Sequence, residues 1–330
     1  MMSDFSNSLK PNFFVIGVVK GGTTSLYHYL QQHPEIYLPQ VKETNHFAKA
    51  DVHKENFLPT YATDVDIDLD AYIASGMKQQ VHIAHIDDDA HYAALFSKAN
   101  GQKAIGEISN SYMVCPSAAG SIKKYQPAAK LIVILRNPIG RAWSQYLMNL
   151  REAKTAQSDF RTEVLQDDMA QPKGWGVNHQ YLELGRYAKQ LKRYFDFFER
   201  EQILVLFFEE YRQRPELSME KICSFLEVGP GFEFDFSAES NKASLPRSAG
   251  LNQLLVKSGT IKAIKGLTPK SWRSQFARIL YSEKNIPKLS PHDRAWLRDI
   301  YKDEVEKLAQ LIGHKLYKHW PEFNKMPSHD

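Results

Sequence analysis

The feature that most constrains the fold is the stretch Phe13–Val19, a continuous apolar run with β-branched residues, interrupted only by Gly17. It passes through Lys20-Gly21-Gly22 into a stretch where Leu26, Tyr29 and Leu30 recur with helical spacing. This pattern predicts a buried strand, a glycine loop and a helix. A strand apolar on both faces needs cover on both sides, so the unit belongs in a parallel sheet layered between helices. Leu131–Leu135 (LIVIL) is a second such strand, followed by Pro138 and a helix over Arg141–Arg151 with Ala142, Tyr146, Leu147 and Leu150 on one face. Ile203–Phe208 (ILVLFF) is a third, preceded by a helical stretch Tyr187–Glu199. A short strand is predicted at Glu35–Leu38, and amphipathic helices at 216–227 and 291–312. The 330 residues therefore read as one α/β domain with a central parallel sheet flanked by helices. The acidic runs DVDIDLD and DDD lie within about 50–100, which reads as an insertion.

Charge matters here by its placement. The 42 basic and 38 acidic side chains leave a net +4, too mild for a nucleic-acid binder with a basic surface. Residues 1–150 carry 13 of each sign, so the whole excess lies beyond them. From Ala243 to Ser282 there is no acidic residue, and with Lys242 the block carries eight cations. The segment 240–282 is thus expected to be a basic, mobile element facing an anionic partner. Two cysteines, Cys115 and Cys223, exclude a disulfide framework and are expected as free thiols. No segment reaches the roughly 18 apolar residues of a membrane span. The N-terminal stretch lacks a basic region followed by an apolar one, and the reducing cytoplasm is the expected compartment.

The loop after the first strand reads Gly17-Val-Val-Lys20-Gly21-Gly22-Thr23-Thr24-Ser25. Glycines there let backbone N–H groups converge on an anion, and the helix N-terminus adds its dipole. Lys20 supplies full charge, and the hydroxyls of Thr23, Thr24 and Ser25 supply donors. Gly17 and Gly22 have the spacing of a Walker A loop, but Thr23 stands at its lysine position and Lys20 comes three residues early. The second strand ends in Leu135-Arg136-Asn137-Pro138, placing a cation where a magnesium ligand would stand. The site suits an anion neutralised by protein cations, with no metal required. Arg136 sits where open α/β sheets bind ligands, and Ser144 follows in the next helix. Arg141 reads as solvated or paired with an acidic neighbour.

These residues carry a family resemblance. FFVIGVVKGGTTSLYHYL resembles the 5′-phosphosulfate loop of sulfotransferases that use 3′-phosphoadenosine 5′-phosphosulfate (PAPS), and LIVILRNPIGRAWSQY resembles their 3′-phosphate motif. The likeness continues through KETNHF, GEISNSY, GRYAKQLKRYFDFFEREQILVLFFEE and LSPHDRAWLRDIY, and is nearest the bacterial and heparan-sulfate-type branch. It implies a sulfotransferase form of the P-loop-NTPase-like fold, PAPS as donor and adenosine 3′,5′-bisphosphate (PAP) as product. Arg136 and Ser144 match the residues that grip the 3′-phosphate, and Arg247, in the late loop NKASLPR, is a candidate for a further contact there. In KETNHF the glutamate matching the family's catalytic base is Glu43, with His46 as the competitor of better-suited ordinary pKa. Lys20 would neutralise the leaving phosphate and Lys42 would assist. Glu107, Tyr112 and Trp175 are candidates for the acceptor cleft, although Ile108 replaces a lysine common in the heparan-type relatives. The implied acceptor is a small molecule or glycan, carbohydrate or glycolipid being favoured.

The alternatives are a P-loop kinase or NTPase, disfavoured by the displaced lysine, and a non-catalytic nucleotide-binding protein, disfavoured by the presence of Glu43 and Lys20. His82, His85 and His91 flank Asp87–Asp89 and read as a solvated acidic loop more than a metal site. Trp272, Phe276, Ile279 and Leu280 recur at helical spacing among Arg273 and Arg278. Core packing explains them, with a peripheral membrane contact through 257–282 as the second reading.

Overall fold

The computed structural model describes residues 10–324 except 156, 172, 177–178, 238–243, 259, 261–278 and 285. Seven strands organise the sheets: β1 (Phe13–Gly17), β2 (Ile36–Tyr37), β3 (Val41–Glu43), β4 (Val81–Ile83), β5 (Ala104–Ile108), β6 (Lys130–Leu135) and β7 (Ile203–Phe207). The main sheet is parallel, in the order β2-β5-β1-β6-β7. In its register Phe14 lies between Glu107 and Leu131. Alternation sorts the apolar runs onto two faces. Phe13, Val15, Ile132, Ile134 and Leu206 pack beneath the helices Thr23–Leu30 and Pro215–Leu226. Phe14, Ile16, Leu131, Val133 and Leu135 pack against Ala118–Tyr125, Pro138–Arg151, Tyr187–Phe195 and Pro291–Ile312.

This order places a crevice where the sequence motifs require it. The chain leaves β1 toward β2 on one side of the sheet and leaves β6 toward β7 on the other. The helices following β1 and β6 therefore cover opposite faces, and their loops meet beyond the carboxyl ends of the strands.

Three elements differ from expectation. The helix after β6 begins at Pro138, because Asn137 Oδ1 accepts from the N–H groups of Ile139 (3.0 Å) and Gly140 (3.4 Å) and proline suits the first helical position. Part of the expected insertion is a strand: β4 pairs parallel with β3, setting Val41 beside Val81 and Glu43 beside Ile83. In the basic segment, Leu245–Pro246 pairs antiparallel with Tyr281–Ser282, and Ala249–Lys257 is helical. Leu251, Leu254 and Ile279 are exposed there. Trp272, Arg273, Phe276 and Arg278 lie outside the described residues. Among the described residues, no helix is long and apolar enough to cross a membrane. Cys115 and Cys223 are buried free thiols.

Candidate active site

The loop after β1 is shaped by close approach. A Cβ on Gly21 would lie 2.7 Å from the Ile134 carbonyl oxygen and 2.9 Å from that of Val18, so only glycine lets the loop run against β6. Lys20 (φ +65°) and Gly22 (φ +91°) are both left-handed, which turns the chain into the helix. Gly22 caps the helix Thr23–Leu30 with no side-chain hydrogen bond, and no acidic residue sits in its first turn. The first N–H groups are therefore left for a ligand at the positive end of the helix dipole. Thr23 is buried and Thr24 half-buried. Ser25 is committed inward, donating to the Gly22 carbonyl at 2.8 Å and accepting from the Tyr211 hydroxyl at 2.9 Å.

Arg136 closes the crevice from β6. Its Nη1 donates to the Lys20 carbonyl at 2.9 Å, its guanidinium lies 4.4 Å over the Phe208 ring, and its own carbonyl accepts from the Tyr187 hydroxyl at 2.8 Å. Ser144, two turns into the next helix, is half-buried, and its hydroxyl makes no hydrogen bond among the described residues. Burial first, then the Arg136 charge, holds Lys20 down to about 8; Arg151 and Lys42 add to this and Glu152 opposes it. Burial likewise lowers Arg136 to about 10, against the pull of Glu209. Neither Lys20 nor Arg136 forms an ion pair among the described residues. Desolvated cations gathered with only Glu152 and Glu209 acting at a distance, and no direct ion pair, disfavour their own ionisation until an anion enters. Arg151 was not singled out in the sequence, because it closes an amphipathic helix and reads as an ordinary end cation.

Glu43 sits at the end of β3, 4% exposed. Its Oε1 accepts from Lys42 Nζ at 2.6 Å and from Asn110 Nδ2 at 2.7 Å. Burial works to raise its pKa, but the charges of Lys42 and His82 and the bonds from Lys42 and Asn110 outweigh it and hold the carboxyl below the usual range. Glu43 Oε2 and the buried Asn110 Oδ1 have no protein partner, whereas the buried Tyr61 hydroxyl and the Trp175 indole face one another. Tyr61 is within electrostatic reach of Glu43, and Trp175 packs edge-on to Tyr61 with ring centroids 6.4 Å apart. Buried polar atoms are normally paired. Two unpaired oxygens at the carboxylate, Glu43 Oε2 and Asn110 Oδ1, fit the hydroxyl donors of a ligand. Trp175 also lines a cavity of about 490 Å³ with Asn56, Cys115 and Arg193. It is held by its backbone to Asn56 (2.7 Å) and Leu58 (2.9 Å), contrary to the free loop its glycine-rich setting suggests.

Other expected residues are placed elsewhere. Glu107 and Tyr112 do not face an acceptor. Glu107 is fully buried and accepts from Tyr112 (2.7 Å), Tyr92 (2.9 Å), Ser109 (3.1 Å) and Thr44, and burial raises its pKa. Tyr112 is equally buried, its hydroxyl also accepting from the Phe47 N–H at 3.3 Å. The pair pins the Thr44 end of the segment that carries Glu43. His46 stacks on Tyr92 at 4.0 Å with Nδ1 2.8 Å from the Ile86 carbonyl, and burial lowers its pKa to about 4. The structure thus gives His46 packing neighbours and does not bring it to the Glu43 cluster. Arg141 is fully buried, donating to Gln145 (2.6 Å) and the Tyr181 carbonyl, where solvent or an acidic partner was expected. The Arg247 side chain is exposed on the short ribbon that packs against the helix Pro138–Arg151. His85 pairs with Asp87 at 2.7 Å and His91 with Asp70 at 2.9 Å. No group of three metal-ligating side chains is found among the described residues.

Residues 11–230 match a family described as the sulfotransferase family. Carbohydrate sulfotransferase 15 of Mus musculus is 29% identical over 256 residues, covering 67% of this chain and 44% of that protein. Bifunctional heparan sulfate N-deacetylase/N-sulfotransferase 4 of Mus musculus is 24% identical over 318 residues, covering 93% of this chain and 30% of that protein. The chain spans about half the length, or less, of these curated relatives. A solved sulfotransferase from Alicyclobacillus acidocaldarius superposes with a TM-score of 0.70 at 28% identity, covering 95% of this chain and 99% of that one.

Proposed function

Because the chain belongs to the sulfotransferase family, we propose that it transfers a sulfuryl group from PAPS to a hydroxyl of a carbohydrate or glycolipid acceptor. The observation that supports this reading is the pairing of Lys20 and Arg136, hydrogen-bonded through the loop and without a direct ion pair among the described residues, beyond β1 and β6. Bound there, PAPS supplies the activated sulfuryl group. The free N–H groups at Thr23 and Thr24 hold its 5′ end, and Arg136 with the free hydroxyl of Ser144 holds its 3′-phosphate. Glu43 Oε2 takes the proton of the acceptor hydroxyl, reached past the His82 rim, as the new S–O bond forms. Lys20 neutralises the charge that accumulates on the departing phosphate. Lys42 keeps Glu43 ionised. The acceptor class rests on the names of the two curated relatives and on the unpaired polar atoms around Glu43. The exposed Leu251, Leu254 and Ile279 within the acid-free segment support an amphiphilic acceptor.

The test is thermal stabilisation followed by transfer. PAP is expected to raise the melting temperature more than Mg-ATP at equal concentration, and labelled sulfate from PAPS is expected on a member of a glycan and glycolipid panel. A larger shift with Mg-ATP would overturn the reading. The depressed Lys20 pKa adds a pH signature. Lys20 loses its charge above about pH 8 in the free protein, whereas a bound anion favours the charged form. Binding therefore takes up a proton above pH 8, and PAP affinity is expected to fall by up to about tenfold per pH unit there. Lys20→Met should flatten that slope in calorimetric titrations at pH 7, 8 and 9.

A further inference from the structure

Asn110 stands two residues beyond β5 and reaches across to the base. It is buried, and its Nδ2 shares Glu43 Oε1 with Lys42 Nζ. Oε1 is thus engaged by two donors, while Oε2 has none. The orientation of the amide follows from chemistry. An ionised carboxylate only accepts, so the amide nitrogen must face it and the amide oxygen must point away. The backbone around Asn110 is fixed to the segment that carries Glu43. Ser109 Oγ accepts from the N–H groups of Thr44 (3.0 Å) and Asn45 (3.2 Å), and Ser111 Oγ donates to Asn45 Oδ1 at 2.5 Å. Neither end of the 2.7 Å bond is free to drift.

We propose that Asn110 is a positioning residue for sulfuryl transfer: with Lys42 it locks Glu43 by Oε1 and so presents Oε2 as the one oxygen that receives the acceptor proton. This rests on Glu43 as the base. The charged or titratable groups facing Glu43 are Lys42, His82 and Tyr61. Removing Asn110 leaves these in place and takes away only a bond to the charged carboxylate.

The experiment follows the Glu43 carboxyl by NMR in intact protein labelled with carboxyl-13C glutamate, with Glu43→Gln assigning the signal. Asn110→Ala is expected to raise the Glu43 pKa, and Asn110→Asp to raise one step of the coupled pair by more than a unit, since two neighbouring carboxylates resist joint ionisation. With PAPS and whichever panel glycan turns over, kcat of Asn110→Ala should fall about tenfold or more while KM for PAPS stays unchanged. The acid limb of its kcat profile should move up with the NMR titration. An unaltered Glu43 titration together with unaltered kcat overturns the proposal. Should Asn110→Ala fail to fold, Asn110→Asp carries the same test, with PAP stabilisation as the folding control. Full activity in Glu43→Gln would instead overturn the base assignment, and the NMR titration separates that outcome because it needs no acceptor.

Discussion

Glu43→Gln is expected to slow sulfuryl transfer by about 10²- to 10⁴-fold, the usual range for loss of a general base. PAP affinity should stay unchanged, because Glu43 lies on β3 and touches no part of the loop after β1. The substitution also affects folding. Lys42 is 1% exposed and Glu43 is its anionic partner at 2.6 Å. Removing one member of a buried pair costs about 3–5 kcal/mol, because the other charge is stranded. Glu43→Gln should therefore melt earlier, and the double variant with Lys42→Met should recover stability without recovering transfer. That separation is the check. If the loss of rate merely tracks the unfolded fraction, Glu43 is not the base. The pH dependence has a definite sign. Glu43 is held below its ordinary pKa of 4.5, so its contribution to stability is complete above that value and is lost as pH falls through the lower folded value. The value of kcat/KM for PAPS should be flat from about pH 5 to 8 and fall above 8, where Lys20 discharges in the free protein.

Arg136→Ala is expected to weaken PAP binding by about 10²-fold or more, from the loss of charge-assisted bonds at roughly 1.5–3 kcal/mol each. A nucleotide lacking the 3′-phosphate should lose only about fivefold, the effect of releasing the single bond from Arg136 to the Lys20 carbonyl. Calorimetry with the two ligands makes the comparison, and equal losses would refute the assignment. Arg136→Lys should recover little, since a point charge reproduces neither the forked grip nor the stacking on Phe208.

The elements that carry the donor-site candidates were legible because they follow chain order. Apolar runs locate β1 and β6, glycines mark the loop, and Arg136 stands directly after a strand. The acceptor half was not, because it is made by contacts distant in sequence. β4 is three residues long and only partly buried, so Val81-His82-Ile83 carries no strand signal without β3 beside it. Glu107 looks like a binding carboxylate until four hydroxyl donors, from residues 44, 92, 109 and 112, converge on it. Arg141 illustrates the reverse error: an arginine in the first turn of a helix reads as surface, yet its partners are Gln145 one turn on and the Tyr181 carbonyl. His46 was considered for its ordinary pKa, and burial, which lowers it to about 4, removes that advantage.

The β3–β4 ribbon has a consequence for how such an enzyme diversifies. The strand that ends in Glu43 and the strand that pairs with it are joined by residues 44–80, which include Tyr61 beside the base. Lengthening or trimming that connection to admit a new acceptor pulls on the register of β4, and through it on the placement of Glu43. On the proposed reading, acceptor choice and turnover vary together in this chain, whereas the residues proposed to grip the nucleotide sit on a separate sheet and can be kept while both change. Loop grafts into this segment should be selected for rate and acceptor at once, with the Val41–Val81 pairing as the feature to preserve.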